Sequence, residues 1–440
     1  MAASRFGLAH PMPAVCAIDF GTSNSAIALP SLTGSGGVQL VELEPGQRTM
    51  PTAVFYAVEG LAPHAEPQRH YGRAAVAAYV EGIEGRLMRS MKSILGSTLA
   101  TQATDVGGGR QVRYLDVVSG YLRHLKTRAE RQAGHALTRV VLGRPVFFVD
   151  DDPERDAAAQ AALTQAASDV GFADISFQYE PIAAALDFET TVDREQIVLV
   201  ADIGGGTSDF SVVRVGPALR QRIDRKSDIL ANHGVHTAGT DFDRQIELSR
   251  ILPACGYGAL GPTGREVPSK VYFDLATWHL INTVYSPGRV AELGRMKTFY
   301  ADAQQHARLM AVVTGHLGHG LIGRAEAAKI VVADGGTAAI DLSLLEPGLT
   351  VALHEADAVA AIGADLDRIA AAAEHTLAQA GLARDRIDAL YFTGGSTGFQ
   401  PLAARIAARF PAARVMRGDR FASVAQGLGI HAQRVFGPPR

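Results

Sequence analysis

The chain has 440 residues, a length that favours two domains because a single hydrophobic core rarely grows so large. A net charge of −3, with no stretch dense in lysine and arginine, argues against a nucleic-acid partner. The two cysteines, Cys16 and Cys255, lie far apart in sequence, which argues against a disulfide framework or a paired-cysteine zinc site and fits a reducing compartment.

The sequence contains no segment typical of export or of a membrane anchor. Residues up to Ala14 have no apolar stretch of signal-peptide length, and no later apolar run reaches the roughly 20 residues that a membrane-spanning helix requires. We therefore expect a cytoplasmic protein that has no membrane partner.

The first predicted unit is a strand, a glycine turn and a second strand. The apolar run that begins at Val15 breaks at residues 19–24, DFGTSN, and resumes at residues 26–29. A hairpin turn is predicted next at residues 34–37, followed by strands at 38–42 and 52–56.

Helices and strands alternate over the following 140 or so residues. The patterns predict helices at 73–83 and 119–133, and a strand at 139–148. A further helix should begin around Asp152 and Pro153, because an aspartate at the cap and a proline in the first turn favour helix initiation. A short strand at 176–178 then leads to a helix that begins with Glu180 and Pro181.

The opening pattern recurs at residues 196–215. An apolar strand at 197–200 is followed by DIGGGTSD at 202–209 and by another strand at 210–215. The period of about 180 residues is far longer than the ~20–50 residues of solenoid repeats. The recurrence therefore indicates a duplicated domain.

The remainder of the chain ends in a third glycine loop. Residues 252–321 show the weakest periodicity and suggest a helical insertion subdomain. A long helix at 354–380 precedes a strand at 389–392, the loop TGGSTG at 393–398, and a helix at 401–409.

The three loops share a chemistry that suits a polyphosphate. Glycines allow tight turns whose backbone N–H groups approach phosphate oxygens closely. Asp19 and Asp202, each near the end of a strand, are suited to hold magnesium mainly through water, and the hydroxyls of Thr22 and Thr207 can contact phosphate. Two matching loops in tandem make ordinary hairpin turns a poor explanation.

These motifs resemble those of the actin-like ATPase superfamily, and within it the nucleotide-binding domain of the seventy-kilodalton heat-shock proteins, the DnaK type. Residues 17–25 resemble the first phosphate motif and 200–210 the second, while 179–185 resemble the connecting motif and 390–397 the adenosine motif. The resemblance covers nearly the whole chain. It implies an α/β fold of two lobes, each built on a ribonuclease-H-like mixed sheet, with ATP or ADP and Mg²⁺ in the cleft between them.

The resemblance also implies an order of domains along the chain. Lobe I would span residues 1–195, and lobe II residues 196–385, including the insertion around 252–321. Residues 386–440 would supply the adenosine-motif strand and the closing helices that join the lobes. Because little sequence remains after that, the chain resembles the short YegD-type members, which lack a substrate-binding domain.

Three residues are implied to be catalytic. Lys92, in a segment that resembles the family's catalytic lysine region, would orient the attacking water and stabilise charge on the γ-phosphate. Glu180 would contact the magnesium shell or the water, with Pro181 relaying the nucleotide state between lobes. Asp209 would assist with the metal or the water.

The remaining implied site residues contact the nucleotide or the metal. Asp19 and Asp202 would hold magnesium. The implied nucleotide contacts are Gly21, Thr22, Ser23, Gly204, Gly205, Gly206, Thr207, Gly239, Glu326, Lys329, Gly394, Gly395 and Ser396. Ile330 and Ala333 replace an arginine and a serine of the family pattern, so the choice between adenine and guanine stays open.

Two further motifs have simpler explanations. Asp334 to Thr337, DGGT, looks like another phosphate loop, but its position before a predicted strand favours a hairpin turn. His316 and His319 lie among glycines that indicate a loop, and no acidic residue or cysteine lies near enough in sequence to complete a metal site.

Several functions remain compatible with these observations. We expect a slow ATPase that acts as a nucleotide-driven switch of two lobes, is monomeric, and meets an unidentified protein client or regulator. A nucleotide-binding scaffold with little turnover is the alternative. A small-molecule kinase of the same superfamily, or an actin-like filament, is a less favoured reading.

Overall fold

The computed structural model describes residues 14–31, 37–62, 65–97, 100, 102–107, 109–149, 152–419 and 422–437. The hairpin turn predicted at 34–37 lies outside the described residues, except for Gly37.

The elements of the first half of the chain are strands β1 to β11 and helices α1 to α4. The strands are β1 Val15–Phe20, β2 Asn24–Pro30, β3 Val38–Leu40, β4 Thr49–Pro51, β5 Ala53–Ala57, β6 Gln68–Tyr71, β7 Gly85–Arg89, β8 Ala103–Asp105, β9 Gln111–Arg113, β10 Arg139–Arg144 and β11 Asp174–Tyr179. The helices are α1 Gly72–Val80, α2 Tyr114–Ala133, α3 Pro153–Asp169 and α4 Glu180–Thr191.

The second half of the chain continues with β12 to β18 and α5 to α12. The strands are β12 Gln196–Ile203, β13 Ser208–Val215, β14 Ile229–Val235, β15 Thr337–Asp341, β16 Thr350–His354, β17 Ala389–Thr393 and β18 Arg414–Arg417. The helices are α5 Gly239–Ile246, α6 Lys270–Leu275, α7 Pro287–Arg295, α8 Ala303–Thr314, α9 Gly318–Val331, α10 Glu355–Gln379, α11 Gln400–Ala407 and α12 Ser423–Phe436.

Two sheets with the same topology form the framework. The first sheet has the order β3-β2-β1-β10-β11, with β4 also paired to β2, and the second has the order β14-β13-β12-β17-β18. In each sheet the first two pairings are antiparallel and the last two are parallel. β1 and β12 therefore occupy equivalent places, as the recurrence of their sequences predicts.

Local sequence explains several element boundaries. The Asp152 side chain accepts a hydrogen bond from the backbone N–H of Arg155, 3.0 Å away, so α3 begins with the cap that the sequence predicts. The strand predicted at 139–148 ends early, at Arg144. The next residue, Pro145, has no N–H to donate to a strand ladder.

The sheets are joined by a layer of two helices. α4 and α12 bury their apolar faces in one cluster together with side chains of both sheets, for example Ala17 of β1 and Val200 of β12. The two helices cross closely at Gly427, where a Cβ atom would lie far inside van der Waals contact of the Ala183 backbone carbonyl. Backbone contact therefore sets the distance between α4 and α12.

The segment 252–321 is helical but has no core of its own. Its buried side chains, such as Tyr272 and Leu309, belong to the same apolar cluster as Phe210 of the second sheet. The loop predicted around the glycines at 315–320 is confirmed for residues 315–317 and is wrong for the rest, because α9 begins at Gly318. A side chain at Gly318 would lie 2.7 Å from the Tyr285 hydroxyl, so this glycine permits close packing.

The DGGT sequence forms a tight turn of a different kind from the one predicted. Gly335 and Gly336 have φ angles of +99° and +94°, which favour glycine. The turn joins helix α9 to strand β15, whereas a hairpin turn would join two strands. No helix among the described residues is both long and apolar enough to cross a membrane.

The crossing of α4 and α12 yields a test of stability. Gly427→Ala should lower the free energy of unfolding by about 1–3 kcal/mol, because the added Cβ must displace backbone. Gly363→Ala in α10, where a Cβ would meet nothing within 4 Å, is the matched control and should be neutral or stabilising by up to about 1 kcal/mol. Urea unfolding measures both changes, and equal effects would contradict the close crossing.

Candidate functional site

The ends of β1 and β12 bring together two loops with the sequence Asp-x-Gly, DFGTSN at 19–24 and DIGGGTSD at 202–209. We call them the DxG loops. Asp19 and Asp202 stand next to last in these equivalent strands, and each strand leads into its glycine loop. A Cβ on Gly205 would lie 3.3 Å from the Ser23 hydroxyl oxygen, so the loops of the two sheets face each other at close range. We call the space between these strand ends the cleft.

The second loop is cross-linked to two later segments of the chain. The Gly204 carbonyl accepts hydrogen bonds from the Ser396 hydroxyl at 2.7 Å and from the Gly239 N–H at 3.3 Å. The Gly205 carbonyl accepts from the N–H and the hydroxyl of Thr240, at 2.8 and 2.7 Å. The backbone carbonyls of Gly204 and Gly205 are therefore engaged in hydrogen bonds within the protein.

The third glycine loop lies directly behind the second. Gly394 has a φ of +86°, and a Cβ there would lie 2.7 Å from a carboxylate oxygen of Asp202. Only glycine fits both the backbone conformation and this close approach. The structure thus brings together all three loops, at 21–23, 204–207 and 394–396.

Backbone N–H groups remain available on the two DxG loops. The N–H groups of Thr22, Ser23, Gly205 and Gly206 donate no hydrogen bond to another atom in the part of the chain that the structure describes. Gly206 is exposed, and a Cβ there would meet nothing within 4 Å. Unpaired N–H groups on adjacent tight turns form a concavity suited to an anion, and this arrangement fits phosphate.

Lys92 and Glu180 form an ion pair at the cleft. Lys92 lies in a 3₁₀ turn that follows β7, entered through Ser90 in the left-handed region at φ 53°, and Glu180 is the first residue of α4. The Lys92 ammonium donates to the Glu180 carboxylate, and their side chains are 9% and 17% exposed. Burial lowers the pKa of Lys92, but attraction by Glu180, Asp19 and Asp209 outweighs burial and raises it overall.

The cleft gathers more carboxyl groups than basic groups. Desolvation raises the pKa of Asp19 to about 8 and that of Asp202 to about 7, with repulsion by Glu180 adding to both. Desolvation also raises the pKa of Asp209. Carboxylates under such mutual repulsion suit a hard divalent cation such as Mg²⁺. Among the described residues, no three His, Cys, Asp or Glu side chains are grouped so as to hold a metal ion directly.

Asp209 is packed against the backbone of β14. A Cβ on Gly234 would lie 2.5 Å from an Asp209 carboxylate oxygen, so a glycine there makes room for this carboxylate. A hydrogen bond from the Thr207 side chain acts to lower the pKa of Asp209 against the effect of desolvation. The Thr207 side chain, predicted to contact phosphate, thus lies near enough to Asp209 to influence its pKa.

Lys329 and Glu326 have different surroundings although both lie on α9. The Lys329 ammonium lies 2.6 Å from an Asp243 carboxylate oxygen and donates to the Gly239 carbonyl at 3.1 Å. Glu326 is exposed, and its charge acts on Arg89 of β7. The structure therefore brings Lys329, but not Glu326, into contact with the Gly239 turn.

Ile330 and Ala333, the two positions that depart from the family pattern, have different surroundings. Ile330 is 64% exposed, and the Ala333 carbonyl accepts a hydrogen bond from the Gln400 N–H at 3.0 Å. The end of α9 is therefore bonded to the start of α11, just after the third glycine loop.

An aromatic contact between the two halves of the chain was not predicted from the sequence. Trp278 stacks on Tyr79 of α1 with ring centroids 5.0 Å apart, and the Arg89 guanidinium lies 4.2 Å from the Trp278 ring. His319 meets Trp278 edge-on at 4.9 Å and pairs with the Asn282 side chain at 3.1 Å. We call Tyr79, Arg89, Trp278 and His319 the aromatic clasp.

His316 belongs to the neighbourhood of the clasp rather than to a metal site. Its ring stacks on Tyr285 with centroids 4.3 Å apart, and its backbone is in the left-handed region at φ 55°. Sequence spacing alone gave no signal for these aromatic pairings.

A buried acid beyond the residues predicted directly follows helix α5. Asp243, which pairs with Lys329, is followed one turn later by Glu247, which is fully buried. Neither carboxylate oxygen of Glu247 has a hydrogen-bond partner among the described residues. Burial, with repulsion by Asp243, raises the pKa of Glu247 well above its usual range.

Comparison with known proteins agrees with this architecture. A family model described as Hsp70 protein matches residues 15–248, more than half of the chain. The chaperone protein HscA homolog of Methylobacillus flagellatus is 30% identical over 240 residues, which are 52% of this chain and 36% of that protein. The chaperone protein DnaK of Thermosipho melanesiensis is 29% identical over 236 residues, 53% of this chain and 35% of that protein.

The duplicated sheets with a cleft at their strand ends are those of the actin-like ATPase fold, and the fold predicted from the sequence is confirmed. The chain belongs to the Hsp70 family. The match with these curated relatives spans about a third of their length.

Glu247 yields a prediction of pH dependence. Its raised pKa means that the folded protein keeps the proton while the unfolded chain ionises above about pH 4.5, so stability falls as pH rises. Glu247→Met removes the titrating group at similar shape and should stabilise the protein by about 1–3 kcal/mol at pH 8, and by less at pH 5.

Urea unfolding at both pH values measures this effect. Glu292→Met in α7, an exposed acid, is the control and should show no comparable pH-dependent gain. An equal or smaller gain for Glu247→Met at pH 8 than at pH 5 would contradict the assignment of a buried, protonated acid.

Proposed function

We propose that this protein binds ATP and ADP with magnesium in the cleft and hydrolyses ATP slowly, as a switch between two lobes. The observation that carries the proposal is the convergence of three glycine loops on one cleft that also holds the Lys92–Glu180 pair. Residues 1–195 would form lobe I and 196–385 lobe II, with 386–440 joining them through α12.

The free backbone N–H groups of the DxG loops would bind the phosphates. The proposed contacts are Gly21, Thr22, Ser23, Gly204, Gly205, Gly206 and Thr207, with Gly239, Gly394, Gly395 and Ser396 at the nucleoside side. Glu326 and Lys329 would flank the adenosine from α9. Asp19 and Asp202 would hold magnesium mainly through water, and the ion supplies positive charge that neutralises the phosphates.

The catalytic roles follow from charge and position. Lys92 would orient the attacking water and stabilise charge that develops on the phosphate oxygens. Glu180 holds the Lys92 ammonium in place and can accept a proton from the water or contact the metal shell. Asp209, beside the second loop, would position water or metal.

A protein partner is proposed from the relatives. The matched proteins are named as chaperones, which act on other proteins, and we propose that this chain, as a monomer, meets a protein client or regulator. A nucleotide-binding scaffold with little turnover is the second candidate. It is favoured by the engagement of the Lys92 ammonium with Glu180, which leaves less of it free for phosphate.

Single-turnover ATP hydrolysis in the presence of magnesium separates the two candidates. Lys92→Ala should slow hydrolysis by about 10²–10³-fold, because one charge-stabilising donor is lost, while calorimetry shows little change in nucleotide affinity. Lys226→Ala, an exposed lysine away from the cleft, is the control. Tight binding without turnover in the wild-type protein would favour the scaffold, and parallel loss of binding in Lys92→Ala would contradict the catalytic role.

The aromatic clasp offers a reporter for the switch. Trp278 is the single tryptophan of the chain, and its ring contacts side chains from both halves. Its fluorescence should differ between the ATP and ADP states if the lobes rotate, because the Arg89 and Tyr79 contacts then change. Arg89→Ala should reduce the difference without abolishing nucleotide binding. Identical spectra in both states, with binding confirmed by calorimetry, would argue against motion at this contact.

A further inference from the structure

Helix α4 ends in a buried ionic cluster far from the residue that begins it. Glu189, near the carboxyl end of α4, is fully buried. Its two carboxylate oxygens accept hydrogen bonds from the Arg225 guanidinium at 2.8 and 3.1 Å, a bidentate arrangement. One of these oxygens also accepts from the Gly216 N–H at 3.2 Å.

Further hydrogen bonds hold the Arg225 guanidinium in place. It is among the largest fully buried side chains of the protein. Its Nε donates to Asp228 at 2.5 Å, and one terminal nitrogen donates to the Arg214 carbonyl of β13 at 3.0 Å. A single guanidinium therefore joins α4 to β13 and to the segment that follows this strand.

A second arginine of the same segment holds the helix end. Arg220 donates to the backbone carbonyls of Glu189, at 3.0 Å, and Val192. Carbonyls at a helix end lack intrahelical partners and carry partial negative charge, so an arginine there is favourable. We call Arg220, Arg225 and Glu189 the helix-end clamp.

The clamp and the catalytic groups lie at opposite ends of the same two elements. α4 begins with Glu180 and ends in the clamp, and β13 begins with Ser208 and Asp209 and ends at Val215, beside Gly216. Any tilt or slide of α4 against the second sheet would move Glu180 relative to Asp202 and Asp209. Fixing one end of both elements therefore prevents sliding and restricts tilt, which limits how far the catalytic groups can move apart at the other end.

Stability alone is a poor reason for such a cluster. Desolvation of buried ions offsets much of their attraction, and apolar replacements of similar size are often neutral or stabilising. Buried ionic groups can instead specify one relative orientation of the elements that carry them. The bidentate geometry of Arg225 provides this orientation in a way that a single point charge cannot.

We propose that Arg225 and Glu189 are positioning residues for the hydrolytic step: they hold α4 against the second sheet so that Glu180 stays with Lys92 and opposite Asp202 and Asp209. The inference rests on the proposed ATPase function. These two residues would act in catalysis through Glu180, without contacting the substrate themselves.

The test compares Arg225→Lys with Arg222→Gln. Arg225→Lys keeps the charge and loses the fork, whereas Arg222→Gln removes a half-exposed arginine that bonds Asp228 from the surface and does not contact α4. Arg225→Lys should slow single-turnover hydrolysis about tenfold with the ATP dissociation constant changed less than about threefold, because misplacement affects chemistry more than binding. Arg222→Gln should leave both values unchanged.

Hydrogen exchange of the ADP-bound protein gives a readout that does not depend on turnover. In Arg225→Lys, amide exchange should accelerate in residues 180–186 as well as in 187–195. If amide exchange in Arg225→Lys accelerates only in residues 187–195 and 214–228, and its hydrolysis rate equals that of the wild type, the proposal is overturned. The clamp would then have a local structural role. If the wild-type protein shows no turnover, the proposed ATPase fails, and exchange at 180–186 still decides the positioning role.

A milder variant covers the case in which Arg225→Lys does not fold. Arg220→Gln removes only the donors to the helix-end carbonyls, and it should change the same two readouts in the same direction by about threefold. Unchanged hydrolysis and unchanged exchange at 180–186 in this variant, together with increased exchange at 187–192, would also overturn the proposal.

Discussion

The contact on which the cleft depends is the ion pair between Lys92 and Glu180. Lys92 lies in the 3₁₀ turn that follows β7, and Glu180 is the first residue of the helix α4, which packs against both sheets. The pair places a positive charge among carboxylates that would otherwise repel one another, and these carboxylates come from both sheets. The two copies of the fold therefore need each other, because neither sheet alone gathers this set of charges.

Two kinds of contact between the halves differ in how easily they can change. At α4 and α12 the helices meet through backbone at Gly427, and the helix end is bonded by Arg220 and by the buried Arg225. At the aromatic clasp, side chains stack across the halves with few directional bonds. Because packed backbone and buried ion pairs resist sliding, the rotation of two lobes that we propose should open the clasp and preserve the helix layer.

Sequence predicts those parts of the protein that depend on neighbours along the chain. The three glycine loops, the start of α3 at its aspartate cap, and the start of α4 at Glu180 are local features, and the structure places them as expected. Arg225 lies in a strongly charged segment that indicates exposed loop, yet it is buried against Glu189, 36 residues earlier. Pairings such as Tyr79 with Trp278 leave no periodic trace, so only the folded chain reveals them.

In the proposed function, the cleft would link the stability of the protein to the binding of nucleotide and magnesium. Raised pKa values of Asp19 and Asp202 mean that their charged forms are unfavourable in the folded chain, whereas the unfolded chain ionises them freely. In the proposed function, a divalent cation held by these carboxylates would offset this cost, and its binding would then stabilise the folded state by mass action. The same desolvation and repulsion that weaken the free protein would therefore increase the energetic difference between its bound and free forms. A switch needs such a difference, because a ligand can shift an equilibrium only by its unequal affinity for the two states.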